Sequence, residues 1–466
     1  MSDFSALLES VVTSEGQEIF NPATGESLGC CPVGTPADVD AAVARARAAA
    51  PGLAQLSHEE RSELLMRAAD AIEAKAEALA ELLSREQGKP LNGPNARFEV
   101  GACAGWLRAT ASFDSPDYVA VDADVTATVT YKPLGVVGAI GPWNWPMMIT
   151  IWQIAPAVRM GNTVVVKPSE YTPLSVLALV KTINEVLPQD VVQVVTGGGD
   201  VGAALSTHAG IDKLMFTGST ATGKKIVSAS AEGLTPLTLE LGGNDAGIVL
   251  DDADPAAIAG DLFWGAFINT GQTCAAMKRL YVPASLYDAV CDALLAVAEA
   301  SPMGVGLDEN NVLGPLQNKA QFDIVDGLVK EAVASGARVL TGANPDYEAP
   351  GYFYPTTLIA DIDPENPLVT EEQFGPALPI IKYTDLDWAI EQANSLDVGL
   401  GSSVWSSDRD RALGVASRLE AGTTWINSHG AVDPRVPFGG IKSSGYGVEF
   451  GTEGLKGLAY PHIING

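Results

Sequence analysis

The feature that most restricts the fold is a rhythm between Val136 and Leu250. Short apolar runs at Val136–Ile140, Thr163–Val166, Val191–Val195, Leu214–Phe216 and Ile248–Leu250 alternate with glycine-rich turns and helical patterns, as at Leu174–Val186 and Gly223–Ala231. Strands this apolar suit a sheet covered on both faces, and helices between them imply parallel crossovers. An α/β fold is therefore expected, with a second α/β stretch from about Asp254 to Val436 holding further strands at Leu280–Val282 and Val339–Leu340. No clean linker separates the halves, so the domains are expected to interleave. Ser57 and Glu60 form a capping box ahead of one helical stretch, with Leu64, Leu65, Ala68, Ile72, Leu79 and Leu83 at helical spacing until Gly88 and Pro90. The alternation from Val119 to Tyr131 reads as a β-hairpin.

At 466 residues the chain calls for two or three packed domains. Acidic residues outnumber basic ones 57 to 28, a formal charge of -29 that repels nucleic acid and anionic membrane surfaces alike. That charge serves solubility and says nothing about substrate. The opening MSDFSALLESVVTSEG lacks a basic region followed by an apolar one, and no apolar run is long enough to span a bilayer, so a cytoplasmic protein is expected. The cysteines, Cys30, Cys31, Cys103, Cys274 and Cys291, are odd in number and without CxxC spacing. His58, His208, His429 and His462 lie far apart. Neither a disulfide framework nor a metal site is expected.

Three segments carry chemistry. Cys274 ends Phe267-Ile268-Asn269-Thr270-Gly271-Gln272-Thr273-Cys274, a polar turn after an apolar helical run. A nucleophilic thiolate needs such exposed, shaped backbone and donors that lower its pKa, whereas a lone cysteine is ordinarily a small buried hydrophobe. Cys103 and Cys291 fit that second description. Glu240, in Leu239-Glu240-Leu241-Gly242-Gly243-Asn244, is an acid among apolar neighbours. Desolvation there suits a general base, and a strand-end glutamate without a role is the alternative. Asn144 sits in Gly141-Pro142-Trp143-Asn144-Trp145-Pro146, where stiff neighbours can fix its amide as an oxyanion donor or leave it bonded to its own turn.

Together PWN, LELGG and a GQTC that follows the glutamate by 34 residues (274 − 240) resemble the aldehyde dehydrogenase superfamily. KPSE, FTGST, EEQFGP and PFGG extend the resemblance from about residue 20 onward. It implies Cys274 as nucleophile, Glu240 as general base, Asn144 and the Cys274 amide as oxyanion donors, and Lys167 as an active-site and cofactor position. Addition of the thiolate would give a thiohemiacetal, then a thioester that water hydrolyses.

The resemblance also implies an NAD site. Phe216-Thr217-Gly218-Ser219 opens a helix whose amides, with the Ser219 hydroxyl, can take a pyrophosphate. Lys167, Ser169 and Glu170 would meet the adenosine ribose, where Glu170 would repel a 2′-phosphate and so favour NAD over NADP. Trp143, Leu241 and Gly242 would line the cofactor, and Glu372 and Phe374 would hold the nicotinamide ribose and ring. Trp145, Ile149, Trp152, Ile268, Thr273, Ala275, Val432 and Phe438 fall near the family's substrate tunnel, an apolar and aromatic lining suited to an aliphatic or aromatic aldehyde. A semialdehyde stays open, with Arg435 or Arg159 as the cation. So do a CoA-acylating enzyme and a non-catalytic NAD-binding protein of the same fold.

The implied architecture has three parts. They are a Rossmann-like coenzyme domain (1–115 and 134–242), a catalytic domain (243–440), and a small β oligomerisation arm (116–133 and 441–466). Exposed strands in the arm imply a homodimer or homotetramer.

Overall fold

Each apolar run becomes a strand in the computed structural model, which describes residues 3–123 and 125–466. Met1 and Ser2 of the opening segment, and Asp124 of the expected hairpin, lie outside the described residues. Six strands form one sheet in the order Gly445–Tyr446, Leu237–Glu240, Lys213–Thr217, Val136–Ile140, Thr163–Lys167, Val192–Val194. All run parallel except Gly445–Tyr446, which is antiparallel to its neighbour. Val137, Ala139, Val164 and Val166 point into one core cluster and Val136, Ile140, Val165 and Leu214 into another. Helices Pro146–Arg159 and Pro173–Asn184 cover the first face, while Pro36–Gln55 and Gly199–Thr207 cover the second. Both faces are dry, which is why these strands show no polar alternation.

The second sheet has seven strands, ordered Arg338–Thr341, Thr357–Ala360, Ala377–Tyr383, Met277–Pro283, Asp245–Val249, Gly401–Trp405, Thr423–Ile426. Only Arg338–Thr341 is antiparallel to its neighbour. It too is buried on both sides, with Ile248, Tyr281 and Val404 in one cluster and Val249, Leu280 and Trp405 in the other. This is the Rossmann-like sheet plus catalytic α/β unit that the sequence implied. A third, antiparallel sheet joins Tyr118–Asp122, Thr126–Pro133 and Ala459–Asn465, and leaves Tyr118, Val119, Val121, Tyr460, Ile463 and Ile464 exposed.

Two expectations need correction. The single helical stretch after Ser57 is two helices, His58–Glu73 and Ala76–Gln87. The capping box forms, and Gly88 ends the second helix in a left-handed conformation at φ 96°. Between them the Lys75 amide bonds back three residues to Ile72, a tightened turn that re-aims the second helix. Secondly, the stretch 441–466 gives only Ala459–Asn465 to the small sheet. Ile441–Lys442 pairs with Val398–Gly399, and Gly445–Tyr446 joins the six-stranded sheet.

The site's position follows from register. Ile140 pairs with Lys167 and Phe216, and Thr217 with Glu240, so the carboxyl ends of four strands finish together. In the second sheet Asp245 pairs with Met277, so the amino ends finish together just past Cys274. Leu241-Gly242-Gly243-Asn244 carries the chain from one edge to the other. Crevices at the carboxyl ends of parallel strands are where such folds bind ligands.

Gly445 lies opposite Glu240 at φ 120°, and a Cβ there would meet the Leu239 carbonyl at 1.9 Å. Gly445→Ala should therefore cost roughly 1–3 kcal/mol or more in a urea-unfolding measurement. An unchanged midpoint would show that the two strands can separate freely.

Candidate active site

The turn before Cys274 is unusual backbone held by side chains. After helix Pro255–Phe267 the chain makes one 3-10 turn, with Asn269 and Thr270 at φ 50° and 57° followed by Gly271 at 75°. Left-handed non-glycine residues cost free energy unless neighbours enforce them. Here they do. Thr270 exchanges hydrogen bonds with Gly314, Asn269 Nδ2 donates to the Asn144 and Gln272 carbonyls, and Gln272 Nε2 donates to the Asn269 and Pro315 carbonyls. The turn ends with Cys274 partly open to a cavity, while Cys31, Cys103 and Cys291 are buried and all five cysteines are free.

That cavity holds about 620 Å3 and lies between the two sheets. Its walls include Cys274, Glu240, Asn144 and Lys167, together with Trp143, Ser169, Glu170, Gly218, Ser219, Leu241, Gly242, Glu372 and Phe374. Every residue expected to be catalytic or to meet the cofactor thus faces one space, although they span positions 143 to 374. Gly198 and Gly199 at the start of helix Gly199–Thr207, with Tyr171, Gln321 and Ile324, are also in the wall and carry no expectation from the sequence. The run Thr196-Gly197-Gly198-Gly199 after an apolar strand was the available signal.

Asn144 is buried, and its Nδ2 donates to the Gln272 carbonyl at 3.0 Å. An amide nitrogen has two protons, so one remains to meet an oxygen beside Cys274. The Cys274 amide has no hydrogen-bond partner among the described residues and is a second donor. Beneath the loop, the fully buried ion pair Lys89–Glu99 spans 2.6 Å. Lys89 donates to the Asn144 carbonyl at 2.8 Å, and Glu99 accepts from the Met147 and Met148 amides at the start of helix Pro146–Arg159. Burial pulls the Lys89 ammonium down to about 8 against the attraction of Glu99. Neither residue carried a sequence signal.

Electrostatics at the centre depart from expectation. The sequence anticipated donors that would lower the thiol pKa. Instead, burial and the charges of Glu240, Glu372 and Asp245 push Cys274 up to about 12. It faces the cavity yet lies deep in the protein, so desolvation outweighs its partial exposure. Glu240 is also buried, both of its oxygens lack hydrogen-bond partners among the described residues, and burial plus the charge of Glu449 raise its pKa well above the carboxylate range. Glu449, likewise raised by burial, is a second carboxyl that sequence reading missed. Its place between Val448 and Phe450 was the only hint.

On the cofactor side, Lys167 Nζ lies 3.4 Å from Glu170 Oε2. Burial lowers Lys167 against the pull of Glu170. Ser219 caps helix Thr220–Ser230 by accepting from the Thr222 amide, so its hydroxyl is already engaged with the helix. Trp143 and Phe374 meet edge to face at 5.3 Å. Glu372 accepts from the Gly243 amide at 3.3 Å, and burial pushes it to about 7. A Cβ on Gly242 would stand 2.4 Å from a Glu372 oxygen, so a side chain there would displace that carboxylate.

The eight expected tunnel residues do not line this cavity. Trp145, Ile149, Trp152, Ala275 and Phe438 are buried in the core cluster against which Cys274, Ile268 and Val432 pack. Thr273 accepts the Trp145 indole N–H at 2.9 Å, and Trp152 packs between Trp106 and Phe450. Cys274 therefore stands between this cavity and an apolar aromatic cluster. The two candidate cations lie elsewhere: Arg435 is exposed and paired with Asp433, and Arg159 is buried against His58 and the Phe113 carbonyl. Among the described residues no helix is long and apolar enough to cross a membrane.

Fold and site together define a two-sheet dehydrogenase scaffold with a cysteine at the junction. The chain belongs to the aldehyde dehydrogenase family, whose model matches residues 11–463, and it is an oxidoreductase acting on the aldehyde group. It is similar to geranial dehydrogenase of Castellaniella defragrans, 40% identical over 95% of this chain and 94% of that one. Phenylacetaldehyde dehydrogenase of Pseudomonas fluorescens is 38% identical over 94% and 90%. A crystal structure of betaine aldehyde dehydrogenase from Staphylococcus aureus in complex with NAD+ superposes with a TM-score of 0.93 at 30% identity, covering 100% of this chain and 97% of that chain.

The pair under Asn144 offers a test of how the site is supported. Glu99→Gln leaves the Lys89 charge buried without its partner and should destabilise the protein by about 3–5 kcal/mol in chemical denaturation. A change near zero would mean that Lys89 sheds its proton at no cost.

Proposed function

We propose that the protein oxidises an apolar aldehyde, aliphatic or aromatic, to the carboxylic acid with NAD as electron acceptor. The observation that carries this reading is the convergence of Cys274, Asn144 and Glu240 on one cavity between the sheets. Bound nicotinamide would supply the hydride acceptor; the close approach of Gly242 to Glu372 and the paired Lys167–Glu170 fit a nucleotide there.

The Cys274 sulfur attacks the carbonyl carbon, and the carbonyl oxygen takes the negative charge of a thiohemiacetal. The free Asn144 N–H and the Cys274 amide receive that oxygen, donors already held in place by the turn. Loss of hydride re-forms the C=O as a thioester. Glu240 then takes a proton from water as the water oxygen attacks, the C–S bond breaks, and the acid leaves. Because Cys274 starts as a thiol, its proton must leave before or during attack. The raised Glu240 makes a strong base once ionised.

A pocket for an apolar aldehyde is supported by the aromatic cluster against Cys274 and by relatives named for geranial and phenylacetaldehyde. Arg435 and Arg159 are engaged elsewhere, which disfavours a carboxylated semialdehyde. A CoA-acylating enzyme would have no use for a water-activating Glu240. Glu170 accepts ribose hydroxyls and repels a 2′-phosphate, which favours NAD over NADP. The exposed apolar strands of the small sheet fit pairing with a second copy, as a homodimer or homotetramer.

The test is NADH formation from phenylacetaldehyde without CoA. Activity is expected in the wild type and absent in Cys274→Ala. The rate should rise from neutral to alkaline pH, because below its raised pKa Glu240 is protonated and cannot accept a proton. Full activity in Cys274→Ala, or strict dependence on CoA, would contradict the proposal.

A further inference from the structure

Four residues past Cys274, in strand Met277–Pro283, Lys278 is almost wholly buried and belongs to no motif read from the sequence. Its Nζ donates to the Thr273 carbonyl and lies 3.4 Å from the Ala276 carbonyl and 3.5 Å from that of Cys274. Glu372 Oε1 stands 3.8 Å away, and the Phe374 ring centre 5.4 Å away. An ammonium has three protons to give. Here the carbonyls of one turn and a carboxylate from another segment share them.

Burying an ammonium is costly unless it is paired and bonded. A polar cap for the turn would account for the hydrogen bonds alone, and that purely structural reading predicts lost stability and nothing else. The charges around the thiol argue for more. Glu240 reaches it from strand Leu237–Glu240, Asp245 from strand Asp245–Val249, and Glu372 from the loop after Pro367–Thr370, all three disfavouring a thiolate. His429 lies behind Asp245, with Nε2 at 3.4 Å from Oδ2. Lys278 is the cation that acts most strongly on Cys274 in the opposite sense.

We propose that Lys278 is a positioning residue whose ammonium ties the nucleophile turn to Glu372 and supplies the positive charge against which the Cys274 sulfur becomes a thiolate. The inference rests on Cys274 being the nucleophile. It adds that the same ammonium joins the thiol's turn to the carboxylate at the opposite lip of the cavity. Loss of the charge would therefore disturb both sides of the reacting centre at once.

The experiment is alkylation of the full-length protein by iodoacetamide, without coenzyme or aldehyde, across the neutral-to-alkaline range. Cys274→Ala supplies the background from the other cysteines. Lys278→Met should alkylate at Cys274 about tenfold more slowly at a given pH, with its profile displaced to higher pH, because a tenfold loss of thiolate corresponds to about one pKa unit. Lys278→Arg keeps the charge and should recover most of the rate. Thermal melts establish folding, and Lys278→Gln replaces the Met variant if that does not fold. A Lys278→Met or Lys278→Gln profile that overlays the wild type overturns the inference, even if the variant is less stable. Failure of the underlying reading looks different: Cys274→Ala would then retain turnover.

Discussion

Everything at this site depends on one short crossing. Leu241-Gly242-Gly243-Asn244 takes the chain from the carboxyl edge of the six-stranded sheet to the amino edge of the seven-stranded one. Because the crossing is so short, Glu240 on one sheet and Asp245 on the other must stand on facing edges. The two glycines make it possible. A Cβ at Gly242 would strike Glu372, and one at Gly243 would crowd Asp245, Leu400 and the Cys274 carbonyl. The close approach of the sheets then brings the nucleophile turn, the Asn144 loop and the Glu372 loop to one cavity.

The same closeness sets the chemistry. Carboxylates and a thiol are buried close together, and both burial and a like-charged neighbour favour the protonated form. Burial first, and for Cys274, Glu240 and Glu372 a neighbouring carboxylate as well, hold Cys274, Glu240, Glu372 and Glu449 above their ordinary values. The resting site is thus poised to lose protons rather than already charged. Rigidity comes from cations buried just outside: Lys89 under the Asn144 loop and Lys278 under the nucleophile turn, each bonded to main-chain carbonyls.

Much of this was legible beforehand. The dry strands announced a sheet covered on both faces, and the local residues marked shaped backbone at Cys274, an acid among apolar neighbours at Glu240 and a stiffly held amide at Asn144. What the sequence hid falls into two kinds. Lys89 meets Glu99 10 residues away, Lys278 meets Glu372 94 residues away (372 − 278) and Glu449 meets Glu240 209 residues away (449 − 240), pairings that residue type alone does not announce. The helix break at Ala74–Lys75 and the joining of Gly445–Tyr446 to the larger sheet are tertiary choices, made where a tightened turn or a missing Cβ allows them. The expected tunnel residues lie outside the cofactor-side cavity: Trp145 and Trp152 are buried in the aromatic cluster against which Cys274 packs.

The account turns on an acyl group carried by one sulfur and released by water that one carboxylate activates. Peptide mass spectrometry of Glu240→Gln, quenched after mixing with NAD and phenylacetaldehyde, reads both halves together. The account predicts an acyl adduct on the peptide containing Cys274, accumulating in step with a single equivalent of NADH. Sustained NADH production with no adduct, an adduct on another cysteine, or a variant that forms neither NADH nor adduct would contradict it.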